Sequence, residues 1–184
     1  MPYNVPTVTT NDISFGPAVL YMGAAGATPS VQVGSISEDG VSVELTSEKR
    51  YIAQGNPRVN YYNFSQAQGA MMKFTSIEWD FDNLTYALGA GVTAVSGSEK
   101  SFSFGGDPIV QQVAIHAQHY MAVSGNTMNV YMWTATSDSG VTAPFGQDEH
   151  SFEYSFTALA TTTAWDGSTA LTDTTRLIKF ERVL

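Results

Sequence analysis

The 184-residue chain carries 17 acidic and 8 basic side chains, a formal net charge of −9, and no cysteine. Its length fits one domain with a real core. The missing thiols exclude a disulfide framework, and the acid excess excludes the basic stripe by which phosphate-gripping proteins release counterions.

Only 14% of residues are charged and 12% aromatic, with Ser, Thr and Gly between them. That mix favours half-buried strands and tight turns over long helices. Residues 1–16 hold Pro2 and Pro6, show no periodicity and read as an extended arm. Lacking a basic region and an apolar run, this start is not expected to be a secretory signal, and the chain is expected to be soluble and made in the cytosol. Residues 17–22 and 31–36 read as short strands around a Gly/Ala/Pro turn. The apolar run 17–27, broken by Gly23 and Gly26, is too short to span a bilayer. Glu38-Asp39-Gly40 then turns into a strand with Val41, Val43 and Leu45 on one face and Ser42 and Glu44 on the other.

Residues 49–69 form a polar and aromatic excursion, too long for a tight turn, and are read as a long inter-strand loop. It is rich in groups that make interfaces: Tyr51, Arg58, Tyr61, Tyr62, Asn63 and Phe64. The chain returns as a strand over 71–79 and enters a short helix that Asp80 or Asp82 can cap. Phe81, Leu84 and Leu88 share a helical face, Trp79 joins them in the helix core, and Gly89 marks the stop.

Residues 90–100 read as a small-residue loop, and Phe102 with Phe104 as a brief strand ending at Gly105-Gly106-Asp107-Pro108. Alternation is sustained over 109–123, with Ile109, Val113, Ile115, Ala117, Met121 and Val123 against Gln112, His116, Gln118 and Tyr120. Ser124-Gly125-Asn126 is a hairpin signal, and 127–136 pairs back with Met128, Val130 and Met132 opposite Asn129, Tyr131 and Trp133. After a loop over 137–149 that includes Pro144, residues 150–160 alternate Phe152, Tyr154 and Phe156 with Ser151, Glu153 and Ser155. A Thr/Gly-rich loop leads to a last strand at 177–184. The pattern predicts a single, mainly β domain: an antiparallel β-sandwich or barrel with one short α-helix. The strands at 109–123 and 71–79 are expected to keep an edge unpaired, which neighbouring copies would complete.

Candidate chemistry is sparse. His116 and His119 are three apart on a strand, so their rings point to opposite faces and cannot share an ion. His150 has only Asp148 and Glu149 nearby, and residues 38–40 lack the ligand ladder of a calcium loop. Glu78, Asp80 and Asp82 straddle a helix start, where capping and the helix dipole account for them. No lysine or helix follows Gly105-Gly106, and no serine sits in a nucleophile elbow. The sequence therefore predicts no enzyme, metal or cofactor. Trp79, Trp133, Trp165 and the tyrosines are candidates for a sugar-binding face. Only Tyr131 and Trp133 make a same-face pair, which suits a subunit contact equally.

Asp39-Gly40-Val41, a long insertion, a strand ending in Glu78-Trp79, then Asp82-Asn83-Leu84 through Leu88-Gly89, follow one another in a telling order. With residues 150–159 and the last strand, this order resembles the major tail proteins of long-tailed bacteriophages, the tail tube family. The resemblance covers about half the chain and rests on the order of short pieces. It implies a tail-tube-like fold and a structural virion protein of the tail, assembled in the host cytoplasm. Hexameric rings, in which each subunit lends strands to one inner barrel, would stack into a tube. Its lumen would hold a tape measure protein and then pass genomic DNA without specific binding. Tail terminator and distal tail proteins would be partners at its ends, or related roles sharing the fold.

Six copies of four tilted strands would enclose a channel of roughly 40 Å. An acidic lumen repels phosphate, so Glu44 is the first lumen candidate, followed by Ser42, His116, Gln118 and Glu153. The 49–69 loop is expected to reach adjacent subunits and rings, flexible in the free monomer and ordered in the tube. The arms at 1–16 and 177–184 are candidates for ring-to-ring contact. No membrane partner is expected, and a carbohydrate-binding β-sandwich module is the alternative reading.

Overall fold

The computed structural model describes residues 16–106, 109–138, 140–143 and 150–183. The arm before Gly16, Asp107-Pro108, Ser139, the stretch 144–149 with Pro144, and Leu184 lie outside the described residues. Among the described residues ten strands and one helix follow in order: β1 (Ala18–Ala24), β2 (Val31–Gln32), β3 (Ile36–Gln54), β4 (Val59–Ser76), α1 (Phe81–Leu88), β5 (Val92–Ser96), β6 (Glu99–Ser103), β7 (Val113–Met121), β8 (Asn126–Ser137), β9 (Phe152–Ala158) and β10 (Lys179–Val183).

Alternation sets which side of each strand is buried. One eight-stranded antiparallel sheet runs β2-β1-β7-β8-β9-β4-β3, with β10 also on β8. β10 and β9 lie end to end along the edge of β8 opposite β7. The sheet folds over itself into a sandwich. Leu20 and Met22 from β1, Ile115 and Ala117 from β7 and Met132 from β8 share one core with Met72 and Phe74 from β4 and Phe152 and Phe156 from β9. The alternation read at 150–160 is borne out by this burial, whereas at 127–136 Val130 and Met132 enter the core but Asn129 and Trp133 on the opposite face are buried as well.

The helix is fixed by its caps. The Asp80 carboxylate accepts from the Asp82 N–H at 2.9 Å, so Asp80 is the cap, and Lys100 bridges Asp80 and Asp82 at 3.3 and 2.9 Å. That hydrogen bond from Lys100 holds the Asp82 carboxyl below its ordinary range. Gly89 ends the helix with φ 59°. A Cβ there would stand 2.8 Å from the Val110 side chain and 3.0 Å from the Gln111 carbonyl. Gly89→Ala is expected to cost about 1–3 kcal/mol, from left-handed strain and crowding together, readable as a shift in the urea midpoint.

Four expectations are corrected. The 49–69 loop is strand: β3 and β4 pair from Leu45↔Ala70 out to Gln54↔Val59, leaving only residues 55–58 as a turn. Register shifts with Gln66 and Tyr61 as the extra residues interrupt β4's alternation, which hides the strand from a period-two reading. The strands expected to keep an open edge do not. β7 lies between β1 and β8, and β4 between β3 and β9. Among the described strands the long open edges fall on β3 and on β4 outside Met71–Ser76, while the short strands β2, β5, β6 and β10 also pair on one side only. Residues 90–100 are not wholly loop, since β5 pairs β6 about Gly97. Trp79 precedes the helix, is 43% exposed and packs edge-on against Phe152 at 4.8 Å rather than joining the helix core. Leu84 is buried, while Phe81 and Leu88 are half-buried.

Candidate functional site

The hairpin of β3 and β4 leaves the sandwich at its base and continues alone. Every residue from Glu44 to Gln68 is exposed. Its apolar side chains are on view all the same: Leu45 is 59% exposed, Ile52 52%, Val59 62% and Tyr61 80%. An isolated two-stranded ribbon is marginal in water, and none of the described residues buries these groups.

The ribbon changes character along its length. At the base, Val41 and Val43 face the core while Ser42 and Glu44 face out. β3 has no inserted residue beyond Val41, so the outward row runs on through Thr46, Glu48, Arg50 and Ile52, with Phe64 and Tyr62 opposite the last two. The outward face is thus polar at the base and apolar at the tip. Of the six residues singled out in this stretch, Tyr62 and Phe64 lie on that outward row. Tyr51 and Asn63 form a cross-strand pair on the reverse face, Tyr61 is a bulge, and Arg58 lies in the turn. Leu45, expected on the same face as Val41 and Val43, is exposed where the ribbon leaves the sandwich, and Ile52 and Val59 escape the sequence reading because aliphatic residues in an expected loop give no periodic signal.

A second feature lies on the outward face of β3, β4 and β9. A groove of about 460 Å³ there is lined by Asp39, Ser42, Lys73, Thr75 and Glu153, among others. Glu44 continues the row beyond Ser42. Asp138 joins the face by accepting from the Thr157 hydroxyl. The five lumen candidates therefore split. Ser42, Glu44 and Glu153 come together here, whereas His116 and Gln118 lie across the core, on the outer face of β7.

That other face carries an aromatic layer. His116 stacks on Tyr131 at 5.0 Å, and Tyr131 on Trp133 at 5.3 Å. Trp165, from the loop before β10, closes over them 5.0 Å from Trp133. Asp166 pins this loop by accepting from the Ser168 and Thr169 N–H groups and the Thr169 hydroxyl. Those bonds, the hydroxyl's first, pull its carboxyl down to about 2. Trp133 and Trp165 are each 8% exposed, so they offer no open platform to a sugar ring.

Tyr131 donates to the Glu181 carboxylate at 2.8 Å and so ties β10 to β8. Burial first, then that bond and charge, push its hydroxyl up to about 12. The raised value means the neutral phenol stabilises the fold fully below the unfolded pKa near 10, and that this contribution is lost as pH climbs through 12. Tyr131→Phe is expected to lose about 1 kcal/mol at neutral pH and to flatten the fall in stability above pH 10. Tyr154, raised mainly by burial, still contributes in both proteins, so the test is the difference between the two pH slopes.

The carboxylates at the helix start are structurally engaged. Glu78 accepts from the Ser35 N–H at 3.0 Å and from its hydroxyl, bonds that lower its pKa. Among the described residues no group of three metal-ligating side chains occurs, and no helix is long and apolar enough to cross a membrane. No protein-family model matches the chain, and no curated protein matches it.

Proposed function

We propose that this chain is a structural subunit that assembles with copies of itself, as the stacked hexameric rings of a phage tail tube. The observation that carries this reading is the hairpin, exposed on both faces from Glu44 to Gln68 and bearing Ile52, Val59, Tyr61, Tyr62 and Phe64 to solvent. A monomer gains nothing from such a ribbon, whereas a neighbour would bury it. The open edges of β3 and of distal β4 support the same reading, since an unpaired edge templates pairing with another chain. Residue order in the sequence supplies the particular assembly: a tube holding a tape measure protein, ended by terminator and distal tail proteins, and passing DNA without gripping it.

On this proposal the chain does no catalysis. Its clustered acids cap the helix, clamp Ser35 and pair with Lys100. Negative-stain microscopy of the pure protein at rising concentration tests the proposal. Rings or tubes of uniform width support it, and a particle that stays monomeric at every concentration overturns it.

A further inference from the structure

Charge along this chain is segregated. Between Lys49 and Gly69 there are three cations, Lys49, Arg50 and Arg58, and no acid, although the whole chain is at −9. The groove at the hairpin's base has the opposite character. Asp39, Glu44, Asp138 and Glu153 lie on its face against the single cation Lys73. Ribbon tip and groove belong to the same strand pair. From Ser42 to the turn at Gly55 the ribbon extends roughly 40 Å, so a tip cannot reach its own groove.

Resting on the self-assembly reading above, we propose that Arg58 at the hairpin tip docks in the carboxylate-lined groove of a second copy. There it pairs with Asp39 and Glu153, a guanidinium being matched to carboxylates. The occupant is another copy because only the acidic body offers complementary charge next to hydroxyls able to satisfy the remaining N–H donors. The contact is heterologous: each engaged pair leaves one free tip and one free groove, so it propagates from copy to copy. Charge also sets its regulation, since exposed pairs are screened within about 8 Å at physiological ionic strength. High salt therefore loosens the assembly.

Association is measured by sedimentation velocity for the wild-type chain, Arg58→Glu, Glu153→Arg and the double variant. Both positions are exposed, and circular dichroism confirms that each variant is folded. Each single variant is expected to weaken association about tenfold or more, and the double variant, which restores opposite charges, to recover most of it. A wild-type chain that never associates overturns the assembly reading and this contact with it. If the wild type associates and the single variants match it, the contact alone falls. The same holds if Arg58→Glu leaves association intact but abolishes binding to a 30-base-pair DNA duplex, which would assign the cationic ribbon to nucleic acid.

Discussion

On the self-assembly proposal, a chain in which residues 48–67 are replaced by a two-residue Asn-Gly turn is expected to fold as a stable monomer and to lose self-association altogether. Ser47 and Gln68 are register partners, so the new turn closes on an existing pair, and Asn-Gly supplies the left-handed backbone of a two-residue hairpin. The removed residues are exposed throughout and contribute no buried contact to the sandwich. Stability is therefore expected to change by less than about 1 kcal/mol. The effect on assembly is all or none, because the excised stretch holds Ile52, Val59, Tyr61, Tyr62 and Phe64 as well as Arg58. Sedimentation velocity reads the association and urea unfolding reads the stability. Tubes of ordinary length from the shortened chain would refute the role given to the ribbon.

What the sequence reveals about this molecule depends on how local the chemistry is. The helix was legible because Asp80, Leu84 and Gly89 act within one or two turns, and each does what its residue type favours. Strand β9 is legible because one face is buried, so alternation survives in its residues, whereas β8 alternates in residue type although Asn129 and Trp133 bury its other face as well. The ribbon was not. With both faces in water, nothing enforces alternation, and bulges at Gln66 and Tyr61 break what remains.

Edges were misread for a different reason. The partner of β7 is β1, nearly a hundred residues earlier in the chain, and no local pattern in 109–123 announces it. The site was half legible. Tyr62, Phe64 and Arg58, proposed here as interface groups, stand out by residue type, and Glu44 and Glu153 by strand parity. That Asp39 and Asp138 join the same face follows only from the fold. Trp165 stands in the Thr/Gly-rich stretch before the last strand, and that this loop folds down onto Trp133 is tertiary information.

Phe156→Ala is expected to be the most destabilising single change in the body. Phe156 is fully buried, pairs in register with Met72 on β4 and Ser137 on β8, and stacks on Phe74 at 5.9 Å. It thus sits where β9 joins the two halves of the folded sheet, and neither half can collapse into the space without dragging the other. A Phe-to-Ala cavity under those constraints costs about 3–5 kcal/mol, a large share of the roughly 5–15 kcal/mol that holds a domain together. Urea unfolding should show the midpoint falling with the slope unchanged. A loss below about 1 kcal/mol would mean that β9 does not couple the halves. The contrast with the shortened hairpin separates folding from assembly. On the self-assembly proposal, Phe156→Ala is expected to lower association only as far as it depletes the folded chain, with mild conditions that keep the variant folded restoring it. The shortened chain is expected to stay folded, with no condition bringing its association back.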